Sequence, residues 1–447
     1  MLARLISDAL ESVDLSQSKQ ERKKVIAFTR DGASVNSSAI SLLRHIHYKH
    51  SIDIQCLSHS ANIIGNEMKN HCKTGVKFVN LWNSMIKTSP KAFSLFSTLI
   101  GGKSVRTYSG NIRWYFFQEC LEQVDIKFEK VKSVILNKDS FADSLRGKLR
   151  ALLKARGKTI RMEVKLMSRV CRKLMQLCYK QEGDEVLIPR TYDHWNSTMI
   201  YLERVGQGVE QLSDVSKVVI KNYPDVTVRA DKMRRMRNIV ENVAVKMRKD
   251  SDENGRLYET LQISKACRIF DFQWAKLQTT ESIQGQLSLL QKLGPYKRID
   301  SIQPLYGEIE SYVNLAMRAT GRSLDDIIKF WSESQQELPN LSRAFAVIAV
   351  IAPSSATVER VFSMLATFKT RHAAKSKYRK ASVLLRYNEN FRNPRVRLRR
   401  RKRFDIYSSD EEYSDYNDQE YSDSNDQGSD DNNEDTDERD EDTDESD

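Results

Sequence analysis

Several side chains in this sequence stand where their types and spacing could do chemistry. Asp31 closes the run Val25-Ile26-Ala27-Phe28-Thr29-Arg30-Asp31, and a carboxylate there can hold a hard cation, which takes oxygen ligands. It can equally cap the helix that follows. Glu359 lies in Ser354-Ser355-Ala356-Thr357-Val358-Glu359-Arg360, where a helical Glu-Arg pair ordinarily serves as an ion pair with a neighbour. Cys56-x-x-His59 and His71-Cys72 supply four zinc-type donors, but adjacent ligands with a helix between the pairs argue against one tetrahedral site. Arg113-Trp114 and His194-Trp195 put an aromatic face beside a nitrogen base, an arrangement that can stack on or brace nucleic acid. Large aromatics most often fill cores; Trp195 is expected to do so. Arg395 to Arg403, RVRLRRRKR, with Arg399, Arg400, Arg401 and Lys402 at its centre, has the density of a phosphate-binding or nuclear-import patch.

The elements that must position these groups follow from periodicity. Leu2, Leu5, Ile6, Ala9, Leu10 and Val13 share one helical face. Val25 to Phe28 is a short continuous apolar run, which reads as a buried, parallel strand. Ile40, Leu42, Leu43 and Ile46 mark a helix, Ile52 to Cys56 a second strand, and Ile63, Ile64 and Met68 a helix after it. The order helix, strand, helix, strand, helix is an α/β unit, whose functional groups sit at strand C-terminal ends. From about residue 75 to 335 the pattern is helical with few breakers. Leu341 to Ile351 is apolar, and Pro353-Ser354-Ser355 restarts the chain into a helix carrying Val358, Val361, Phe362 and Leu365.

Composition bounds the setting. With 447 residues, 40% of them hydrophobic, the chain can bury real cores. It has no apolar run long enough to span a bilayer, and its start reads as an amphipathic helix rather than a signal peptide. A soluble, intracellular protein without a membrane partner is expected. Six scattered cysteines suggest reduced thiols rather than a disulfide framework. Residues 405–447 hold 21 Asp and Glu against one Arg, so the net charge of +12 conceals +32 on the rest of the chain. A body that basic attracts polyanions by phosphate neutralisation and counterion release, which makes DNA the expected partner. The tail has too little apolar surface to offset its ordering entropy and is expected to be disordered.

Residues 338–390, LPNLSRAFAVIAVIAPSSATVERVFS and onward, resemble the C-terminal dimerisation region of hAT-superfamily DNA transposases. The Ser/Ala-rich lead, the Glu-Arg-x-Phe-Ser core, Arg371 and the terminal Leu…Asn388 carry the likeness. Phe28 to Asn36, FTRDGASVN, with Cys56 to Asn66, CLSHSANIIGN, resembles the family's Asp at the end of a core strand and its Cys-x-x-His after the next one. Arg113-Trp114 is similar to the pair that opens the family's helical insertion domain, with His194-Trp195 a weaker competitor.

The resemblance implies an α/β RNase H-like core, incomplete at its N-terminus, interrupted by a large all-α insertion domain. The expected parts are a partial core at 1–75, the insertion at 76–335, the dimerisation region completing the core at 338–392, the basic patch at 395–403 and the acidic tail at 405–447. It assigns two of the family's three carboxylates to Asp31 and Glu359, which would hold Mg²⁺ or Mn²⁺ for phosphoryl transfer. It gives Cys56 and His59 a structural role beside the Asp-bearing strand. The first catalytic Asp should lie on an earlier strand, but the 24 residues before Val25 read as a helix and linker, and Asp8 and Asp14 are poor substitutes. The strand bearing Asp31 would then present an unpaired edge.

The expectation is therefore a transposon-derived, nuclear protein that dimerises, with itself or another hAT-family chain, and associates with DNA. Phe345, Ile348, Val361, Phe362 and Leu384 are expected to bury against core and partner. No strand cleavage and no cofactor are expected of the chain as it stands. One alternative is an active Mg- or Mn-dependent transposase as a longer product. Another is a chromatin protein whose acidic tail holds histones or another basic partner.

Overall fold

The computed structural model describes Ile6 and residues 25–102, 104–108, 114–136, 144–182, 187–298 and 303–355. The rest of the helix expected at 2–13, Asp8, Asp14, Arg113, Glu359, Val361, Phe362, Leu384, the basic patch and the acidic tail lie outside them.

The two expected strands form, as β1 (Ala27–Arg30) and β2 (Ile52–Gln55). They pair in parallel, with Ala27 opposite Ile52 and Arg30 opposite Gln55. Parallel pairing needs a crossover, and helix α1 (Ser34–Ile46) supplies it. One face of α1 buries Ala39, Ile40 and Leu43; Ile40 and Leu43 pack with Val25 and Tyr48, and Phe28 meets the Tyr48 ring edge-on. Its other face leaves Val35, Leu42 and Ile46 exposed. Among the described residues β1 has no strand on its far side, so the sheet is two strands wide. Among the described residues the α/β part is thus one parallel pair with its helices and the rest is helical; the residues expected to complete an RNase H-like core lie outside them.

The first large core is built around α7 (Ser144–Lys180), which departs from helical geometry at Arg156. Against it pack α2 (Leu57–His71), α3 (Lys73–Thr88), α5 (Trp114–Ile126), α8 (Ile188–Gly206) and α9 (Ser213–Asn222). Helix α10 (Val226–Ser251) packs on α8 and α2. Two short helices, α4 (Pro90–Leu99) and α6 (Phe128–Leu136), add Phe96, Val131, Val134 and Ile135. Trp195 lies in this core, 1% exposed, with its indole N–H donated to Ser251 Oγ at 2.9 Å. All six cysteines are buried and free. Burial alone pushes the Cys120 thiol up to about 12, so it stays protonated and behaves as a small apolar group.

The second core joins β2 to the C-terminal helices. Ile52 and Ile54 enter it beside α11 (Tyr258–Cys267), α12 (Phe272–Ala275), α13 (Thr280–Gln291), α14 (Gln303–Gly307), α15 (Ile309–Arg318), α16 (Leu324–Glu333) and α17 (Pro339–Ala349). Its centre is aromatic: Trp331 stacks on Phe345 at 5.4 Å and on Tyr312 at 5.2 Å, and donates its indole N–H to Phe270 O. Glu308 caps α17 by accepting the N–H groups of Asn340 and Leu341 at 2.9 and 2.8 Å. Such bonds satisfy donors a helix start leaves unpaired.

One turn ties the strand unit to this core. A Cβ on Gly294 would stand 2.2 Å from the His50 carbonyl oxygen, while the neighbouring Tyr296 hydroxyl donates to Ala344 O at 2.8 Å. Only a glycine permits that approach. Gly294→Ala should destabilise the chain by roughly 2–3 kcal/mol, as overpacking does. An unchanged thermal midpoint would show that the turn does not hold the two parts together.

Candidate carboxylate site at the strand ends

Parallel strands bring their C-terminal ends to one side, and each strand here runs directly into a helix. After β1, Asp31 Oδ1 accepts the Ala33 N–H at 3.1 Å and the Asn36 side-chain amide at 2.6 Å. This braces the turn that leads into α1, whose N-cap is Ala33 and has no side-chain capping bond. Burial alone would raise the Asp31 carboxyl. The Ala33 and Asn36 hydrogen bonds and the nearby His59 and Arg30 charges outweigh it and hold the group below its ordinary value of 3.8.

After β2, Cys56 is 2% exposed. Its sulfur accepts the His59 N–H at 3.4 Å, capping α2. It also accepts the Ser355 N–H at 3.3 Å, and its thiol donates to Ser354 Oγ at 3.7 Å. Leu57 N–H donates to Pro353 O at 3.1 Å, and the Thr29 hydroxyl to Ala352 O at 2.7 Å. Residues 352–355 are thus clasped to both strand ends by a sulfur, a hydroxyl and a backbone bond. Ser355 is four residues before Glu359 in the chain.

Other groups close around Asp31. A Cβ on Gly32 would meet Gln55 Nε2 at 3.2 Å, Arg256 Nη1 at 3.6 Å and His59 Cδ2 at 3.8 Å. Arg30 is held by Asp53, with Nε–Oδ1 and Nη2–Oδ2 both 2.9 Å, and Arg256 by Asp250 at 2.9 Å. The described donors around Asp31 do not fit a pair of divalent ions. One carboxylate has an oxygen engaged by two N–H groups, and its surroundings are cationic, whereas Mg²⁺ is held through carboxylates. Among the described residues no group of three or more His, Cys, Asp or Glu could hold a metal.

The four zinc-type donors fall at opposite ends of α2, with Cys56 and Cys72 as its caps, about 24 Å apart at 1.5 Å per residue. His71 pairs with Glu67 at 3.2 Å. Trp114 opens α5. Phe345 and Ile348, expected to bury against core and partner, are 7% and 0% exposed and lie in the chain's own second core. The exposed residues of α17 are Pro339, Arg343 and Ala346, with Val350 exposed at its C-cap.

The clasp was not legible beforehand, because nothing in Cys-x-x-His or Pro-Ser-Ser says that they meet. Cys56→Ala removes its side-chain bonds to Ser354 and Ser355. Hydrogen exchange at the 352–355 amides should then quicken about tenfold, as loss of about 1.4 kcal/mol of local stability would produce. Unchanged protection would mean that backbone bonds alone hold the segment.

Residues 311–390 match the hAT family C-terminal dimerisation region. The match begins upstream of the Ser-Ser-Ala-Thr-Val-Glu-Arg motif and takes in most of α15, all of α16 and α17, and the clasped residues 352–355. No curated protein matches the sequence.

Proposed function

We propose, from the premise that this chain is a hAT-transposase-derived protein carrying the family's C-terminal dimerisation region at residues 311–390, that it works as a nuclear homodimer associated with nucleic acid. The family match is the observation that carries the reading. The described part of that region rests on an aromatic core, is capped by Glu308, and is clasped to β1 and β2. It therefore presents whatever follows residue 355 from a braced base. Symmetric pairing of two copies is the default for such a region.

The nucleic-acid half rests on +32 of charge outside the tail, which would act through phosphate neutralisation. An RNase H-like ancestry is supported by Asp31 at the end of a parallel strand followed by a crossover helix. Strand cleavage is not part of the proposal. The test is binding of the full chain to a DNA duplex across a salt series. A linear fall of log affinity with log salt supports the reading. Absence of binding at about 0.05 M salt, where phosphate contacts are strong, sinks it.

A further inference from the structure

Residues 68–118 contain no aspartate or glutamate and eight lysines and arginines. The next longest acid-free stretch, residues 360–388, is little more than half as long. The described part of 68–118 folds into the last turn of α2, helices α3 and α4, and the start of α5. Where α2 meets α3 it forms an open groove of ≈ 430 Å³ lined by Lys69, Asn70, Lys73, Lys77 and Asn80 among others.

Several cations elsewhere in the helical body have carboxylate partners. Arg161 and Lys165 share Asp125, Arg172 pairs with Glu122, Arg235 with Glu163, and Lys246 and Arg256 with Asp250. Among the described residues Lys69, Lys73 and Lys77 form no such pair. The nearest carboxylate before them in the chain, Glu67, is engaged by His71 at 3.2 Å and Asn70 at 3.4 Å. Lys69 lies 4.1 Å above the Phe117 ring, and burial draws its ammonium down to about 8. Its charge is thus held among neutral groups, where an arriving anion gains most.

We propose that this groove binds the phosphodiester backbone of a nucleic acid, without reading its bases. The site deepens the nucleic-acid half of the proposed function and rests on it. Lys73 and Lys77 stand one helical turn apart on α3 and Asn80 nearly another turn on, so the row advances by about 5.4 Å per turn along a line. A linear polyanion fits that row better than a single phosphate. The cations are all lysines, point charges suited to phosphate, with none of the arginine forks that grip carboxylates in two places. The Phe117 face is already covered by Lys69, so no stacking platform is offered to a base.

The test uses the full chain and a labelled DNA duplex of arbitrary sequence. Each lysine–phosphate contact contributes about 0.9 to the salt slope. The Lys73→Gln/Lys77→Gln double variant should therefore lower the slope by about 1.8, and affinity at about 0.1 M salt by roughly 60-fold. Lys73→Arg/Lys77→Arg should keep both near wild type. Lys148→Gln/Lys154→Gln, on exposed positions of α7, is the control and should lose far less. Equal losses in the control and groove variants, or no loss in the groove variant, overturn the site while leaving the nucleic-acid reading standing. A wild-type chain that binds no duplex at any salt overturns that reading and the site with it. Poly-aspartate that binds more tightly than DNA, and is weakened by the same pair, assigns the groove to an acidic protein segment instead.

Discussion

Replacing Phe345 with alanine will unfold the C-terminal half of the chain and take dimerisation away as a consequence. The ring is 7% exposed, stacks on Trp331 at 5.4 Å and lies 5.9 Å from Phe270. Deleting a buried phenyl costs about 3–5 kcal/mol through lost transfer energy and the cavity left behind. That is a large part of the stability of an ordinary domain. Helices α15 and α16, inside the family match, pack on the same cluster through Tyr312, Phe330 and Trp331, so the loss spreads through the region. Phe345→Leu keeps most of the volume and should recover most of the melting temperature and the dimer. A Phe345→Ala chain that melts as wild type but is monomeric would instead make Phe345 a direct partner contact.

The second large effect is expected at Glu163, far from any motif. This carboxylate has a side chain 1% exposed and accepts the Gly75 N–H at 2.8 Å, at the start of α3. Arg235 lies 3.5 Å away. A Cβ on Gly75 would stand 2.9 Å from Met167 Cε and 3.0 Å from Glu163 Cβ, so the helix start is pressed onto α7. Glu163→Ala strands buried donors and Arg235, with an expected cost of about 3 kcal/mol.

Glu163→Gln should cost much less. Burial raises the Glu163 carboxyl above 4.5, against the lowering pull of Gly75, Arg235 and Thr74. An acid whose folded value lies above its unfolded one contributes most at low pH. Its contribution falls as pH rises from the unfolded value through the folded one. Wild type should therefore lose stability over that range, and Glu163→Gln should lose less. Parallel pH profiles of urea midpoints for the two would contradict this assignment.

How far the sequence reads can be judged at these residues. Short apolar runs ending in Asp31 and Cys56 predict two strands and the helices after them, and both strands form within two residues of their expected starts. Order and parallel pairing were legible because a crossover helix of the right length stands between them. Asp31 was readable only as a choice between cap and ligand; its contacts with Ala33 and Asn36 brace the turn before α1 and supply no side-chain cap to the helix. The division of the helices into two cores was not legible. Helical periodicity says which face is buried but not against what, so Phe345 and Ile348 looked equally suited to a partner chain and to Trp331. The start of the family match at residue 311 was hidden for a similar reason: the helical pattern runs on to about residue 335 without marking a boundary there. Glu163 gave no signal, since a glutamate inside a basic helix looks like a surface ion pair. The acid-free stretch at 68–118 was visible in the sequence but carries meaning only once α2 and α3 set its lysines in one groove.

The central claim is that this chain, whose residues 311–390 match a hAT dimerisation region, pairs with itself, and its molar mass in solution tests that most directly. Light scattering on the eluting full chain at micromolar concentration should give about 103 kDa, twice the 51.7 kDa of one chain. Phe362→Glu or Leu384→Glu, both within the matched region, should return it to the mass of one chain. A wild-type mass of 51.7 kDa at every concentration up to about 50 μM, far above the Kd of a stable dimer, would contradict the account.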